Sequence, residues 1–302
     1  MSVASPLEAR SVPPARSGRR FTFAWAGIVP FIVFALAFLV LPTIYLFTNS
    51  FKNLQGSVGT NPAYGQLTVD NYAHLTTPNI LDSYGASIEI SLVTAIAGGI
   101  FGFLLAYAVI AGGLPPFLRS ALMTFSGVAS NFAGVPLALA FTFTLGASGI
   151  LTPFIKAAGL SLNIYSKTAL ELAYMYFQFP LMVLIIAPAI DGLKKDWREA
   201  AENMGATTYQ YWRYVALPIL TPSLLGSVIL LFGNAFGAQA TAYELSGGTI
   251  NIVTIQITRQ LRGDVANDEG VGYALAMGMV VIMALSIAAY SFLQRRSERW
   301  LR

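Results

Sequence analysis

Cysteine is absent from this sequence of 302 residues, histidine occurs once, and few residues are charged. Without cysteine the chain forms no disulfide and has no thiolate nucleophile. Charged residues make up 11% of the sequence and hydrophobic residues 55%, whereas soluble proteins carry about 25% charged residues. This balance excludes an ordinary soluble protein and indicates an integral membrane protein.

Signatures of catalysis are also missing from the sequence. It has no HExxH pair for zinc and no Gly-rich loop ending in Lys-Ser/Thr for phosphate. The lone histidine, His74, has no ligand-type partners at metal-binding spacing. We therefore predict that the chain is not an enzyme, binds no metal or cofactor itself and cannot hydrolyse ATP by the P-loop mechanism. The formal net charge of +4 gives no reason to expect a nucleic-acid partner.

Long hydrophobic runs dominate the rest of the chain and predict an all-α polytopic fold. Residues 1–20 are rich in Arg, Ser, Pro and Ala, which predicts a disordered tail. Residues 21–302 are expected to form one transmembrane domain in contact with lipid. Six stretches in it approach or exceed the roughly 20 apolar residues that cross a bilayer: 27–47, 90–110, 121–145, 169–190, 219–240 and 271–293.

Lys and Arg are distributed unevenly between the segments that join these spans. Most of the 18 fall in the N-terminal tail, in the loop at 191–218 and at the C-terminus. Cytoplasmic segments of membrane proteins are enriched in Lys and Arg, so we expect both termini and this loop on the cytoplasmic side. The segments on the other side keep five bases: Lys52, Lys156, Lys167, Arg259 and Arg262.

The loop at 191–218 is the longest polar interval between two apolar spans. Its first half is predicted to be an amphipathic helix that ends at Gly205, a residue able to take a left-handed cap conformation. Thr207 or Thr208 is expected to cap a second short helix. Helical spacing places five apolar residues on one face of the first helix: Leu193, Trp197, Ala200, Ala201 and Met204.

This loop resembles the EAA loop of permease subunits of binding-protein-dependent ABC importers, which are inner-membrane proteins of bacteria. One position departs from the pattern, because Val215 stands where the family has Ile, and this keeps a β-branched apolar side chain. The residues at the positions of the pattern are Glu199, Ala200, Ala201, Gly205, Val215, Leu217 and Pro218, and all except Val215 are identical to it. The resemblance covers most of the chain from about residue 90 to 296, although outside the loop it rests on helix layout.

The resemblance implies the fold and partners of a type I importer permease. Two ATP-binding cassette ATPases would bind ATP and Mg²⁺, a second permease, expected to be a different chain, would complete the path, and an external protein would deliver the solute. The helix in the loop would be the coupling helix that docks on an ATPase. Its docking surface would contain Trp197, Ala200, Ala201 and Met204. Gly205 would make the turn, and Glu199 would be an anchor that hydrogen-bonds across the loop or to the partner.

Candidate residues for the solute path follow from polar side chains in or near the fifth span. They are Asn234, Gln239, Tyr243 and Glu244, because polar groups at membrane depth face a partner or a water-filled cavity. Hydrogen bonding between helices is an equally open interpretation of Asn234 and Gln239.

The solute is predicted from two features of the sequence. The runs at 247–254 and 272–278 are similar to the polyamine-type branch of the family, and the outer segments hold more acidic than basic residues, a field that favours cations. A polyamine such as spermidine or putrescine, or a related amine-containing solute, is therefore predicted. The alternative function is an ATP-independent secondary transporter or channel, which would predict ionisable residues at the midplane or an inverted repeat.

Overall fold

A computed structural model describes residues 24–57, 59–113, 115–159, 163–262 and 268–298. The tail predicted at 1–20 lies outside these ranges. Fourteen α-helices occur in the described part, which has isolated β-bridges and no strand, so the all-α prediction is confirmed. The helices are α1 (Ala24–Ala35), α2 (Leu41–Ser50), α3 (Asp70–His74), α4 (Pro78–Ile110), α5 (Pro116–Ala129), α6 (Val135–Leu145), α7 (Thr152–Ala157), α8 (Lys167–Asp191), α9 (Lys195–Asn203), α10 (Thr208–Tyr211), α11 (Leu217–Phe236), α12 (Gln239–Ser246), α13 (Val253–Arg262) and α14 (Glu269–Glu298).

Two π-helical turns occur in the described part of the chain, and a proline follows each of them after one intervening leucine. One turn, Leu36–Val40, joins α1 to α2, and the other, Trp212–Ala216, joins α10 to α11. Pro42 and Pro218 are the second residues of the helices that follow. Proline has no N–H and its ring clashes with the carbonyl four residues earlier. The wider turn removes this conflict and lets the helix continue.

Five helical segments in the described ranges are long and apolar enough to cross a membrane. They correspond to the predicted spans at 27–47, 90–110, 169–190, 219–240 and 271–293. The predicted span at 121–145 is divided between α5 and α6. Gly134 has φ +73°, a left-handed conformation, and Pro136 follows at the start of α6. A chain that turns here cannot continue as one helix, so this prediction of a single span is wrong.

The N-terminal unit, whose described part is residues 24–45, contains α1 and the π-turn. In the span Gly27–Ser50 no residue of the hydrophobic window is buried. Its large apolar side chains are exposed, as in Phe31 and Phe38. Such a helix is suited to lipid and not to water.

Helices α4, α8 and α11 form the centre of the second unit, residues 46–298 of the described part. Gly98 and Gly102 of α4 face α8, where an added Cβ would come within 2.7 Å of Gln178 and 2.6 Å of Met182. Small residues thus let the two helices approach closely, as is common between membrane helices. Gln178 is fully buried and donates from Nε2 to the Leu231 carbonyl of α11 at 3.0 Å, which ties the third helix to this pair.

A buried polar stripe marks the first half of α4. Ser83, Ser87 and Ser91 lie at helical spacing and donate to carbonyls three or four residues earlier. Ser87 also accepts a hydrogen bond from the Val253 N–H, the first residue of α13, at 2.9 Å. This bond fixes the start of α13 against α4 and so positions one wall of the cavity described below.

Candidate functional site

The loop at 191–218 folds into α9 and α10 through a left-handed turn at Gly205, which has φ +79°. The Ala206 N–H donates to the Ala201 carbonyl at 3.0 Å, and the Gly205 N–H donates to the Glu202 carbonyl at 2.9 Å. These two bonds are the Schellman motif, which requires a residue that tolerates positive φ. The predicted stop at Gly205 is therefore seen in the backbone.

Thr207 begins the second helix with a reciprocal cap. The Gln210 N–H donates to Thr207 Oγ1 at 3.3 Å, and the Thr207 N–H donates to Gln210 Oε1 at 2.7 Å. This capping box satisfies two N–H groups that a helix start leaves without partners. Of the two threonines considered from the sequence, Thr207 is the cap and Thr208 is the first residue of α10.

The two halves of the loop pack on a small core of their own. Ala201, Tyr211 and Ala216 are buried in it, and Val215 lies partly buried against them. Ala201 has 4% of its surface exposed, so it cannot contribute to a docking surface, and this part of the prediction is corrected. An alanine at this position lets α9 approach the ring of Tyr211 closely.

The outer surface of α9 is left open. Trp197 is 37% exposed and Met204 81% exposed, and Ala200 between them is exposed too. Glu199 is exposed and has no hydrogen bond within the described part of the chain, so the predicted bond across the loop is not present there. Arg198 Nε donates a hydrogen bond to Glu202 Oε1 at 2.9 Å on the polar side of α9, and this bond raises the pKa of the Arg198 guanidinium.

Contacts at both ends of the loop connect it to the transmembrane helices. The ring of Trp212 lies 4.7 Å from that of Tyr107 in α4, edge to face. Arg119 of α5 forms an ion pair with Asp191, the last residue of α8, at 2.6 Å. Leu217 and Pro218 then begin α11 directly after the π-turn. The loop is therefore connected to α4, α5, α8 and α11.

Most of the predicted solute-path residues meet at the other end of α11. Gln239, Tyr243 and Glu244 belong to α12, beyond the end of the span, and line an open polar cavity of about 420 Å³. Asn234 lies on α11, is exposed and is not among the lining residues. Gln239 donates to Thr258 Oγ1 of α13 at 3.1 Å. The sequence leaves two interpretations of Gln239 open, a hydrogen bond between helices and a place in the lining of a cavity. In the structure Gln239 has both.

The structure adds three residues of α13 to this cavity, Thr258, Arg259 and Arg262. From the sequence, Arg259 and Arg262 are outer bases with no assigned role. Their spacing of three residues, which puts two side chains on one face of a helix, is the signal that could have paired them. The sequence carries no signal that Arg259 and Arg262 line the same cavity as Glu244, because this depends on how α13 packs against α12.

Comparison with known proteins agrees with this arrangement. Residues 21–302 match the family described as "Binding-protein-dependent transport system inner membrane component". A probable sulfate transport system permease protein from Prototheca wickerhamii is 26% identical over 72% of this chain and 86% of its own. A spermidine/putrescine transport system permease protein from Haemophilus influenzae is 25% identical over 84% of this chain and 87% of its own.

A similar fold occurs in a solved bacterial transporter. The crystal structure of an alginate ABC transporter in complex with alginate pentasaccharide-bound periplasmic protein contains a chain with TM-score 0.69 and 18% identity. The match covers 90% of this chain and 93% of that one. At this identity the likeness shows the fold alone.

Proposed function

Because the chain belongs to the family of binding-protein-dependent transport system inner membrane components, and is thus a multi-pass permease subunit of an ABC importer, we propose that its two ends have different functions. The loop at 191–218 receives the movement of an ATPase, and the end that carries α12 and α13 receives the solute. Helices α4, α8 and α11 connect them. The sequence contains no phosphate-binding loop, so ATP and Mg²⁺ are bound by the partner subunits.

One observation carries the proposal for the loop, namely that its apolar surface stays open although the loop has a complete core. Trp197, Ala200 and Met204 present this surface, while Ala201 and Tyr211 fill the core beneath it. Exposed apolar residues grouped on a polar loop are typical of an interaction site. We assign this surface to a cleft of an ATPase subunit, with Gly205 setting its orientation and Glu199 at its edge.

The proposed assembly has two ATPases, a second permease chain that differs from this one, and an external solute-binding protein. The alginate transporter supports the external solute-binding protein by analogy, since that transporter is in complex with a periplasmic protein. Closure of the ATPases would move the permease bundles between two packings, a rigid-body switch. We place both termini and the loop at 191–218 on the cytoplasmic side, on the distribution of Lys and Arg.

For the solute, the prediction of a polyamine from the sequence stays a prediction. The spermidine/putrescine permease of Haemophilus influenzae supports it, and the sulfate permease of Prototheca wickerhamii supports an anion instead. Glu244→Gln separates the two classes. Loss of this carboxylate weakens the uptake of a cation and leaves the uptake of an anion unchanged or improved.

Copurification tests the importer assignment against a secondary transporter or channel. The chain is tagged, extracted from its native membrane in mild detergent and isolated with whatever it binds. We expect an ATPase and a second permease to copurify, and ATP hydrolysis to rise when the solute-loaded binding protein is added. A chain that comes out alone, and still carries solute after reconstitution without ATP, would make the secondary transporter the better assignment.

A further inference from the structure

The cavity between α12 and α13 has the chemistry of an anion site. Its charged lining residues are Glu244 from α12 and Arg259 and Arg262 from α13. We propose that these two arginines bind the oxyanion group of the transported solute, a sulfate, a phosphonate or the acidic group of a zwitterion. This inference rests on the proposed function and names the solute class of that same path.

The first argument is that the arginine face is held in place. The Arg259 Nη2 donates to the Gly248 carbonyl at 2.5 Å, so one donor of the guanidinium is fixed and the others are left for a ligand. Gly247 and Gly248 have φ +59° and +74°, and this left-handed turn aims the carbonyl at α13. The bond from Gln239 to Thr258 joins the two helices on the other side of the cavity.

The second argument is the balance of charge. The cavity has two guanidinium groups and one carboxylate, and no ion pair joins them within the described part of the chain. A guanidinium presents a planar fork of donors that matches carboxylate, sulfate and phosphonate oxygens. Tyr243 and Gln239 add neutral hydrogen-bonding groups. A polyamine, which carries only cationic and apolar groups, would meet net positive charge here.

The third argument is position. Helix α11 has 20 residues, which correspond to about 30 Å, and it separates the cavity from the loop at 191–218. The cavity is thus at the membrane face opposite the loop. Charged side chains are costly against hydrocarbon, so the polar wall of α12 and α13 faces water or protein. That is where a solute released by an external protein enters.

Uptake by the whole reconstituted complex tests the proposal. Radiolabelled sulfate, aminoethylphosphonate and spermidine are offered with the external binding protein, to wild type, Arg259→Gln, Arg262→Gln and Glu244→Gln. Lys156→Gln is the matched control, since it removes an exposed base that does not line the cavity. We expect sulfate or aminoethylphosphonate to be carried, with uptake reduced at least about tenfold in each arginine variant and unchanged in Lys156→Gln. Sulfate uptake should rise in Glu244→Gln, because this variant removes the carboxylate that lines the cavity.

Three outcomes overturn the proposal. One is uptake of spermidine alone, with the arginine variants equal to wild type or better. Another is oxyanion uptake that the arginine variants leave unchanged. The last is that the arginine variants bind the external binding protein more weakly than wild type, by the same factor whether that protein is empty or loaded with solute. In that case the arginines would contact the binding protein and not the solute. Copurification of the ATPase is measured on the same samples, so a complex without ATPase is recognised as a failure of the importer assignment and not of the arginine site alone.

Discussion

The two ends of the bundle are built in different ways. The loop at 191–218 is local, because its caps, its turn and its core all come from one continuous segment. The cavity at the other end is assembled from α12 and α13, and long-range hydrogen bonds hold these helices against α6 and α4. In one of them the Gly134 N–H, at the start of α6, donates to Thr241 Oγ1 of α12 at 2.7 Å, and in another the Val253 N–H of α13 donates to Ser87 of α4. The first end presents apolar and aromatic side chains and the second presents charge. The proposed contact with an ATPase is therefore marked by a local motif, whereas the proposed solute site depends on packing.

Both ends depend on glycine in a left-handed conformation, at Gly205 and at Gly247 and Gly248. Between them, α4 and α8 pack through Gly98 and Gly102. A rigid connection of this kind is what allows a movement at one end to change the other. Substitutions in the loop are therefore expected to have larger effects than substitutions in the connection or in the contacts between the two.

Gly205→Asp is expected to reduce solute uptake at least about tenfold, and a tenfold change corresponds to about 1.4 kcal/mol. A residue other than glycine at φ +79° costs about 1–2 kcal/mol, and the added carboxylate lies beside the apolar surface of Trp197 and Met204. The measurement is uptake and copurified ATPase, with the amount of inserted chain determined in the same membranes.

Two alanine variants separate the causes of that loss. An added Cβ at Gly205 meets nothing within 4 Å, so Gly205→Ala tests the backbone alone and should have the smaller effect. Gly127→Ala, in helix α5 with open space around its Cα and no positive φ, should behave as wild type. Normal uptake in Gly205→Asp would show that the loop does not couple this chain to an ATPase. The proposed difference in function between the two ends would then be wrong.

Gly102→Ala is expected to weaken the connection between the ends. Its Cβ would lie 2.6 Å from Met182 Cβ and 2.8 Å from the Phe179 carbonyl oxygen, so α4 and α8 must separate. Overpacking of this kind costs about 1–3 kcal/mol. A lower Tm of the solubilised protein, together with reduced uptake, is the expected result. Gly85→Ala in the same helix, with nothing within 4 Å, is the control, and an equal Tm for both variants would show that the α4–α8 contact is not tight.

The sequence predicts one end of the molecule far better than the other, for physical reasons. Gly205 and the threonine cap are found because helix ends are set by neighbouring residues. The burial of Ala201 is missed, because helical spacing shows which residues share a face but not which neighbour covers it. The division of the span at 121–145 has a sequence signal in Gly134 and Pro136, which are residues that interrupt helices, but apolar composition alone predicts one span. Arg259 and Glu244 meet only through packing of separate helices.

Trp212→Leu tests the aromatic contact that joins the loop to α4. Its ring meets that of Tyr107 at 4.7 Å with an interplanar angle of 76°, and such pairs contribute about 0.5–1.5 kcal/mol beyond burial. We expect the solute carried per ATP hydrolysed to fall by about two- to tenfold, since leucine keeps the apolar contact without the ring. A double-mutant cycle with Tyr107→Leu measures the pair itself, and additive effects of the two changes would show that the rings are not coupled.

Arg119→Gln is expected to have the smallest effect, although its ion pair with Asp191 has the short distance of 2.6 Å. The two side chains are 45% and 43% exposed, and exposed pairs contribute about 0–1 kcal/mol because water and salt screen them. The stability and uptake of this variant should therefore approach wild type as ionic strength rises. Arg198→Gln, which removes the ion pair to Glu202 within α9, gives the local equivalent for comparison. The opposite result would be a strong loss of uptake at high salt in Arg119→Gln but not in Arg198→Gln. The two ends would then be connected mainly through the contact of α5 with the start of the loop, and not through the pair of rings on α4.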